Sequence, residues 1–202
     1  MNETKLHILK IAFKLFIQKN FKDVTMQDIV RETKLSKGAF YHYFESKEQL
    51  FVEVINTFYL ADELNDQNHF DKSSLKNFYL SYVKHLQKFI EFIKESVAVE
   101  KEEDYNNMNY FLLIFDAIHR FPDFKEKLKN MHFEEQIMWE EIIENAKKSK
   151  EINAVMSTHH IAKLFIYSID SNFIHNILTE NFTKALTSIK ELWDDFYEEL
   201  KK

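Results

Sequence analysis

Glycine and proline are almost absent from this chain, which contains one of each among its 202 residues, Gly38 and Pro122. Tight turns between β-strands depend on these two residue types. Apolar residues recur at helical spacing along most of the sequence, and no stretch sustains the alternation of apolar and polar residues that indicates a half-buried strand. The predicted fold class is therefore all-α.

The same periodicity predicts about nine helices. Pro122 lies at the start of one of them, where its missing N–H removes no helical hydrogen bond. The linkers between the helices are short and polar. The predicted ranges are 4–19, 26–33, 37–44, 47–64, 73–97, 105–120, 123–149, 158–179 and 182–201.

Three polar residues mark helix starts in the amino-terminal quarter of the chain. The side chains of Thr25, Ser36 and Ser46 can each accept a hydrogen bond from the free N–H groups of a first helical turn. The helices that begin after Thr25 and Ser36 are separated by only three residues, which is the spacing of a helix-turn-helix motif. Gly38 lies in the second of these helices, and glycine there would let another surface approach the backbone closely.

The second short helix carries donors suited to phosphate oxygens. Phe40 and Phe44 lie four residues apart and are predicted to pack inward, which leaves the other side chains outside. Lys47 lies in the first turn of the next helix, where the helix dipole disfavours a positive charge and a DNA phosphate would offset that cost. For His42, a phosphate contact is favoured over base readout. The predicted DNA-binding residues are Thr25, Lys37, Gly38, Ala39, Tyr41, His42, Tyr43 and Lys47.

About residues 5 to 55 resemble the amino-terminal domain of the TetR/AcrR family of transcriptional regulators. The resemblance is carried, in order, by an Ala-x-x-Leu-Phe core in the first helix, Thr25 at a cap, the run SKGAFYHYF and the continuation Ser-Lys-Glu-x-Leu-Phe. The family usually has glycine at the positions of Asn20 and Lys34. Asparagine tolerates a left-handed backbone better than lysine does, so the turn at Lys34 departs most from the family pattern.

This resemblance implies an architecture and a set of partners. The three-helix head with its helix-turn-helix would bind a double-stranded DNA operator. The helical bundle that follows would bind a small-molecule effector of unknown class and would form a homodimer through the last two helices.

Charge divides the chain in the same way. Residues 1–50 contain nine basic and six acidic residues, a net charge of +3, whereas residues 51–202 contain 18 and 27, a net charge of −9. We therefore expect a helix-turn-helix DNA-binding domain at residues 1–50 and a helical effector-binding and dimerisation domain at residues 51–202. Because the head is only weakly basic, its affinity would depend on two heads in a dimer and would fall steeply with salt.

Isolated polar residues interrupt otherwise apolar helices in the acidic part of the chain. Such groups need partners, which can be protein, water or ligand. Most such polar groups are hydrogen-bonded to protein, in the core or in the dimer interface. Aromatic residues at helical spacing are likewise more often part of the core than contacts to a ligand. The candidate ligand-binding residues are Phe78, Tyr82, Phe111, Phe115, Asp116, His119, Trp139, Asn172 and His175.

Other polar clusters favour structural roles, so we expect no metal and no cofactor. His159 and His160 are adjacent and would point about 100° apart on a helix, which favours a surface pair over a shared metal ion. The charged run Glu100–Asp104 lacks the alternating oxygen ligands and the turn glycine of a calcium loop, which favours a solvated loop or helix start. The chain has no cysteine for a disulfide or a thiolate site.

Neither a secretory segment nor a membrane span is expected. Lysines interrupt the amino terminus, and nowhere do about 18 apolar residues run together. Cytoplasmic location is the default expectation.

With the family resemblance, these features predict a ligand-responsive DNA-binding transcriptional regulator. It would act as a repressor that binds a pseudo-palindromic operator as a homodimer and is released by a small-molecule inducer. No enzymatic activity is expected, because no Ser-His-Asp order, phosphate-binding glycine loop or paired catalytic carboxylates stand out. A helical enzyme, and a partner-binding or lipid-carrying protein that retains the head, remain as alternatives.

Overall fold

The computed structural model describes residues 2–59, 70–97, 107–179 and 184–202. These ranges contain nine α-helices and no β-strand, so the predicted all-α class is confirmed. None of the described helices is long and apolar enough to cross a membrane. The helices are α1 (Glu3–Asp23), α2 (Met26–Thr33), α3 (Lys37–Tyr41), α4 (Lys47–Phe58), α5 (Leu75–Val97), α6 (Asn107–Arg120), α7 (Pro122–Lys148), α8 (Thr158–Leu178) and α9 (Ala185–Leu200).

Most predicted helix boundaries lie within three residues of the observed ones. The α1 helix extends past its predicted end but is interrupted at Asn20, where φ is 66° and ψ is 170°. The α3 helix ends at Tyr41, earlier than predicted, and the chain continues as a turn in which the Phe44 N–H still donates to the Phe40 carbonyl, at 3.3 Å. The predicted end of the fourth helix and the charged run Glu100–Asp104 lie outside the described residues.

Side-chain caps fix the starts of the short helices, as predicted. The Ser36 hydroxyl accepts from the Ala39 N–H at 3.3 Å, and the Ser46 hydroxyl accepts from the Gln49 N–H at 3.1 Å. Pro122 is the first residue of α7, where a missing N–H costs nothing. These contacts are local, and for that reason the sequence alone could place them.

The chain folds into two compact units. The first comprises Met1–Asp66 and Phe89–Lys125, and its described helices are α1 to α4, the end of α5, α6 and the start of α7. The second comprises Gln67–Lys88 and Glu126–Lys202, with the rest of α5 and α7 and all of α8 and α9. Residue 50, where the charge pattern suggested a boundary, lies inside α4.

Phenylalanine rings form the core of the first unit. Phe13 stacks on Phe58 with ring centroids 4.5 Å apart, and Phe51 makes edge contacts with Phe16 at 5.3 Å and with Phe21 at 4.5 Å. These contacts join α1 to α4. The α6 helix is attached to α1 in the same unit, where the Asn109 side-chain amide donates to the Ile17 carbonyl at 2.6 Å.

Two tryptophans organise the core of the second unit. Trp139 of α7 stacks on Phe165 of α8 with centroids 4.7 Å apart, and Trp193 of α9 contacts both rings edge-on at 5.4 Å. The Trp193 indole N–H donates to the Ser168 hydroxyl at 2.8 Å. Tyr79 of α5 is buried beside them and donates to Asp194 at 2.7 Å. Burial raises the pKa of Tyr79 far above its ordinary value, and the bond to Asp194 adds to this.

A carboxylate joins three segments of the second unit. Glu151, in the loop after α7, accepts from the N–H groups of Leu75 at 2.9 Å and Lys76 at 3.1 Å, at the start of α5. The Tyr197 hydroxyl of α9 donates to the same carboxylate at 3.0 Å. A negative charge at a helix amino terminus is favourable, so this contact stabilises α5 as well as the loop.

Candidate DNA-binding surface

The α3 helix presents a short exposed segment on the first unit. Phe40 and Phe44 are buried, as the spacing predicted. Between and before them, the predicted DNA-binding residues turn outward. Tyr41 is 43% exposed. The residues Lys37, Gly38, Ala39 and His42 are also exposed, and Tyr43 is half-buried with its ring 5.3 Å from the His42 ring.

Space around Gly38 is open. A Cβ atom built on Gly38 would meet nothing within 4 Å, and the backbone does not have a positive φ there. Neither packing nor backbone conformation therefore requires glycine at this position. Another molecule can approach the helix backbone here without meeting a side chain.

Thr25 fixes the start of α2 through a reciprocal pair of hydrogen bonds. Its hydroxyl accepts from the Asp28 N–H at 3.1 Å, and the Asp28 carboxylate accepts from the Thr25 N–H at 3.1 Å. The Thr25 hydroxyl also donates to that carboxylate at 2.6 Å. This last bond is the main reason that the pKa of Asp28 is lowered to about 2, and Arg31 at 2.8 Å contributes.

The turn of the helix-turn-helix forms without glycine. Lys34 caps the end of α2 in the left-handed conformation, with φ 57° and ψ 17°, and its N–H donates to the Arg31 carbonyl at 3.2 Å. Asn20, at the other position where glycine was expected, also has a positive φ. The Asn20 side chain bonds to the carboxylate of Asp23 at 2.8 Å, which holds the break in α1.

Lys47 points into the protein rather than away from it. Its ammonium donates to the carbonyls of Val24 at 2.8 Å and Phe21 at 2.9 Å, and approaches the carbonyl of Lys22 at 3.5 Å. A contact from this ammonium to a phosphate would have to compete with these carbonyls. No local sequence pattern indicates this arrangement, since Lys47 lies more than 20 positions from the residues whose carbonyls it contacts.

Four of the candidate ligand-binding residues lie in the first unit, on α6. Phe115 is 62% exposed and His119 is exposed, whereas Phe111 is half-buried. The Asp116 carboxylate lies 3.5 Å from the Arg120 guanidinium one turn later. Phe111, Phe115 and His119 follow one another at intervals of four residues and so lie along one side of α6, where two of the three are exposed.

The other five lie in the second unit. Phe78 and Trp139 are fully buried and their rings are in edge contact at 4.7 Å. Tyr82 packs against Trp139 at 5.5 Å, and its hydroxyl donates to Glu135. Asn172 donates to the Ala185 carbonyl at 2.7 Å, which joins α8 to α9, and His175 is exposed.

Sequence reasoning missed a polar group beside these rings. The His132 imidazole lies 3.4 Å from the Glu135 carboxylate that Tyr82 contacts. The bond to Glu135 raises the pKa of His132, and the negative charge of Asp170 on α8 adds to the effect. Burial raises the pKa of Asp170. The Trp139 indole N–H, buried nearby, has no hydrogen-bond acceptor among the described residues.

His159 and His160 lie exposed at the start of α8. The His159 imidazole is 2.8 Å from the Glu140 carboxylate of α7, and the His160 N–H donates to the Ser157 cap at 3.2 Å. Across the ranges that the structure describes, no three His, Asp or Glu side chains are arranged to hold a metal ion.

Large apolar side chains are exposed along α8 of the second unit. Ile174 is 48% exposed and Leu178 is 71% exposed. Leu164 and Tyr167 continue the same line toward the helix start, and Leu192 of α9 is also exposed. Their separations along α8 of three, seven and four residues place them on one helix face.

The sequence matches the model of the tetR family of bacterial regulatory proteins over residues 8–54. An uncharacterized helix-turn-helix regulator of Bacillus subtilis strain 168, YuxN, is 46% identical over 59 residues, which are 29% of this chain and 20% of YuxN. Across three curated relatives, the aligned segment spans only 20% to 35% of their length. A further uncharacterized regulator of the same strain, YdgC, is 23% identical over 94% of this chain and 85% of its own.

The fold extends this similarity beyond the amino-terminal segment. A crystal structure from Saccharomonospora viridis, described as a transcriptional regulator in complex with choline, superposes with a TM-score of 0.70 at 16% identity. It covers 98% of this chain and 97% of that one. Residues 8–54, which contain the helix-turn-helix, therefore match the tetR family of bacterial regulatory proteins, and the all-helical fold of the chain is similar to that of solved TetR/AcrR family members.

Proposed function

We propose that this protein is a ligand-responsive repressor that binds a pseudo-palindromic DNA operator as a homodimer and is released by a small-molecule inducer. The observation that carries the proposal is the exposed α3 segment with open space at Gly38. In this proposal residues 1–50 supply the DNA contacts, and residues 51–202 supply the effector site and the dimer interface.

The outward side chains of α3 divide by chemistry. The Tyr41 hydroxyl and the His42 imidazole suit phosphate oxygens, which fix the orientation of a protein on the duplex. Lys37 and Ala39, nearer the helix start, suit base edges in the major groove, where lysine pairs with guanine and alanine with the thymine methyl group. Thr25 acts by holding α2, and the Gly38 backbone provides the close approach.

The apolar face of α8 supports the dimer. Two copies that bury Ile174 and Leu178 against each other would remove exposed apolar surface from water, at roughly 25 cal/mol per Å². The exposed Leu192 side chain supports the inclusion of α9 in the same interface. The operator of such a dimer would be two-fold symmetric, with half-sites in successive major grooves about 34 Å apart.

An organic cation is the effector class that we propose. The rings of Tyr82 and Trp139 lie 5.5 Å apart, and the Glu135 carboxylate binds the Tyr82 hydroxyl. Aromatic faces combined with a carboxylate attract quaternary ammonium groups, and an acceptor on the ligand would satisfy the Trp139 N–H. The fold relative from S. viridis was solved with choline. Binding would require these packed rings to separate, which links occupancy to a change of conformation.

A titration on the DNA that flanks the gene of this protein tests the proposal. Fluorescence anisotropy at two salt concentrations should show tighter binding to one symmetric segment than to shuffled DNA, and affinity should fall with salt. Choline and longer quaternary ammonium compounds, added at saturation, should weaken operator binding, and the operator should weaken their binding by the same factor. Equal affinity for flanking and shuffled DNA would contradict the repressor and favour a binding protein that retains the head.

A further inference from the structure

We propose that Lys47 is a positioning residue that fastens the start of α4 to the carboxyl end of α1, and that it does not contact DNA phosphate. This inference rests on the proposed DNA-binding function and specifies how the head is held. It reverses the role expected from the position of Lys47 after Ser46.

The Lys47 ammonium is hydrogen-bonded to carbonyl groups at the end of α1. An ammonium has three protons, and two of them are directed to the carbonyls of Val24 and Phe21 at 2.8 and 2.9 Å. The Lys22 carbonyl oxygen lies farther from the Lys47 ammonium, at 3.5 Å. Because α1 is interrupted at Asn20 and ends at Asp23, these carbonyls belong to a helix end, where acceptors lack partners within the helix. The lysine therefore satisfies acceptors that would otherwise depend on water.

Electrostatics supports the same role. A positive charge in the first turn of α4 opposes the dipole of that helix, which was the reason to expect a phosphate beside it. The carboxyl end of α1 carries partial negative charge and already lies against the Lys47 ammonium. The cost at the start of α4 is thus offset within the protein, and no anion is required.

An aromatic ring beneath the ammonium extends the contact to a third helix. The Lys47 nitrogen lies 4.4 Å from the centre of the Phe21 ring, which is 3% exposed. The Arg120 guanidinium, at the end of α6, lies 4.8 Å from the same ring. Cations near an aromatic face are attracted to it, so Phe21 joins α1, α4 and α6 within the first unit. Lys47 is the member of this group that is nearest in sequence to α3.

The consequence concerns the presentation of α3. Only five residues separate the end of α3 at Tyr41 from the start of α4 at Lys47. Fastening Lys47 to α1 therefore fixes one end of the segment that would enter the groove. A looser attachment should weaken specific binding, which needs one geometry, more than non-specific binding, which depends on charge.

Three variants test this assignment by anisotropy on operator and shuffled DNA across a salt series. Lys47→Met keeps an apolar stem over Phe21 but removes the donors, Lys47→Arg restores donors, and Lys37→Met removes a charge from the exposed α3 segment. We expect Lys47→Met to weaken operator binding at least tenfold, to weaken shuffled-DNA binding less than threefold, and to leave the salt slope unchanged. Lys47→Arg should recover most of the affinity. Lys37→Met should change the preference among operator variants, because it removes a proposed base contact, and should lower the salt slope, because it removes a positive charge from the groove.

The opposite pattern overturns the inference. If Lys47→Met lowers the salt slope by about one and weakens binding to both DNAs equally, Lys47 is a phosphate ligand.

Should Lys47→Met not fold, NMR of wild-type protein labelled with ¹⁵N-lysine replaces this variant. The Lys47 ammonium signal should be protected from exchange in the free protein and unmoved by operator DNA, and a shift on DNA addition would reject the assignment. If the wild type does not distinguish operator from shuffled DNA, the proposed repressor function is wrong. The ammonium signal of the free protein would still test the contact of Lys47 with the end of α1.

Discussion

Gly38 is the second residue of α3, and a Cβ atom at this position would meet nothing within 4 Å. Glycine inside a helix costs roughly 0.5–1 kcal/mol of stability relative to alanine. The protein thus retains glycine at a position where its own packing would accept a larger residue. Under the proposed function, close approach of DNA to the helix backbone accounts for glycine at this position.

We predict that stability and DNA affinity change in opposite directions at Gly38. Gly38→Ala should raise the free energy of unfolding by about 0.5–1 kcal/mol. Gly38→Leu should leave the melting temperature near that of wild type but weaken operator binding at least tenfold, because the side chain fills the space where DNA approaches. Thermal unfolding and anisotropy measure the two effects. A large fall in melting temperature for Gly38→Leu would make Gly38 a folding residue instead.

The Asp28 carboxylate should make the first unit sensitive to acid. Its pKa is lowered from 3.8 to about 2, mainly by the Thr25 hydroxyl. A lowered pKa means that the stabilisation is complete above about pH 4 and is lost as the pH falls through about 2. The melting temperature of wild type should therefore exceed that of Asp28→Asn by a constant amount above pH 5, and the difference should shrink toward pH 2. Thr25→Val should remove most of this pH dependence, and a difference independent of pH would contradict the assignment.

At the residue scale, local signals were readable from the sequence and distant ones were not. The caps at Thr25, Ser36 and Ser46 and the inward positions of Phe40 and Phe44 depend on residues three or four apart. The contact of Lys47 with the end of α1 joins residues more than 20 positions apart. Only tertiary structure could reveal it.

Three turns at helix ends or breaks are built by residues other than glycine. Asn20, Lys34 and Lys150 all have positive φ angles. A left-handed conformation costs an L-residue with a Cβ atom roughly 1–2 kcal/mol, although asparagine tolerates it better than lysine. The chain accepts this strain at these three positions, where glycine is absent.

Lys34→Gly should therefore stabilise the protein. Relief of the left-handed strain should raise the free energy of unfolding by about 1 kcal/mol, partly offset by the greater freedom of glycine in the unfolded chain. Urea unfolding measures the change. Lys34→Ala is the matched control, since it removes the same charge but keeps a Cβ atom and should give no such gain. Equal stabilities of the two variants would show that the turn is not strained.

Periodicity predicted the approximate ranges of the helices that the structure describes, because apolar residues recur at helical spacing along them. It could not assign helices to units. The helix predicted at 105–120 was expected in the effector-binding part, whereas α6 belongs to the same compact unit as the helix-turn-helix. Its attachment depends on Asn109 and Ile17, whose contact spans 92 positions.

At the scale of the whole molecule, operator binding should depend on the α8 face. Ile174→Glu places a charge on that face and should convert the proposed dimer to monomer at micromolar concentration. Operator affinity should then fall at least a hundredfold, because two heads no longer bind together. Sedimentation and anisotropy measure these effects. Val155→Glu, at a fully exposed position in the loop before α8, should change neither. A dimer that survives Ile174→Glu would place the interface elsewhere.

Both tryptophans of the chain, Trp139 and Trp193, lie in the second unit, with ring centroids 5.4 Å apart. Tryptophan fluorescence therefore reports on the second unit alone, because the helix-turn-helix contains no tryptophan. Quenching by an added small molecule would locate its effect without any attached dye. Denaturation followed by this emission and by circular dichroism should give coincident curves only if the two units melt in a single step.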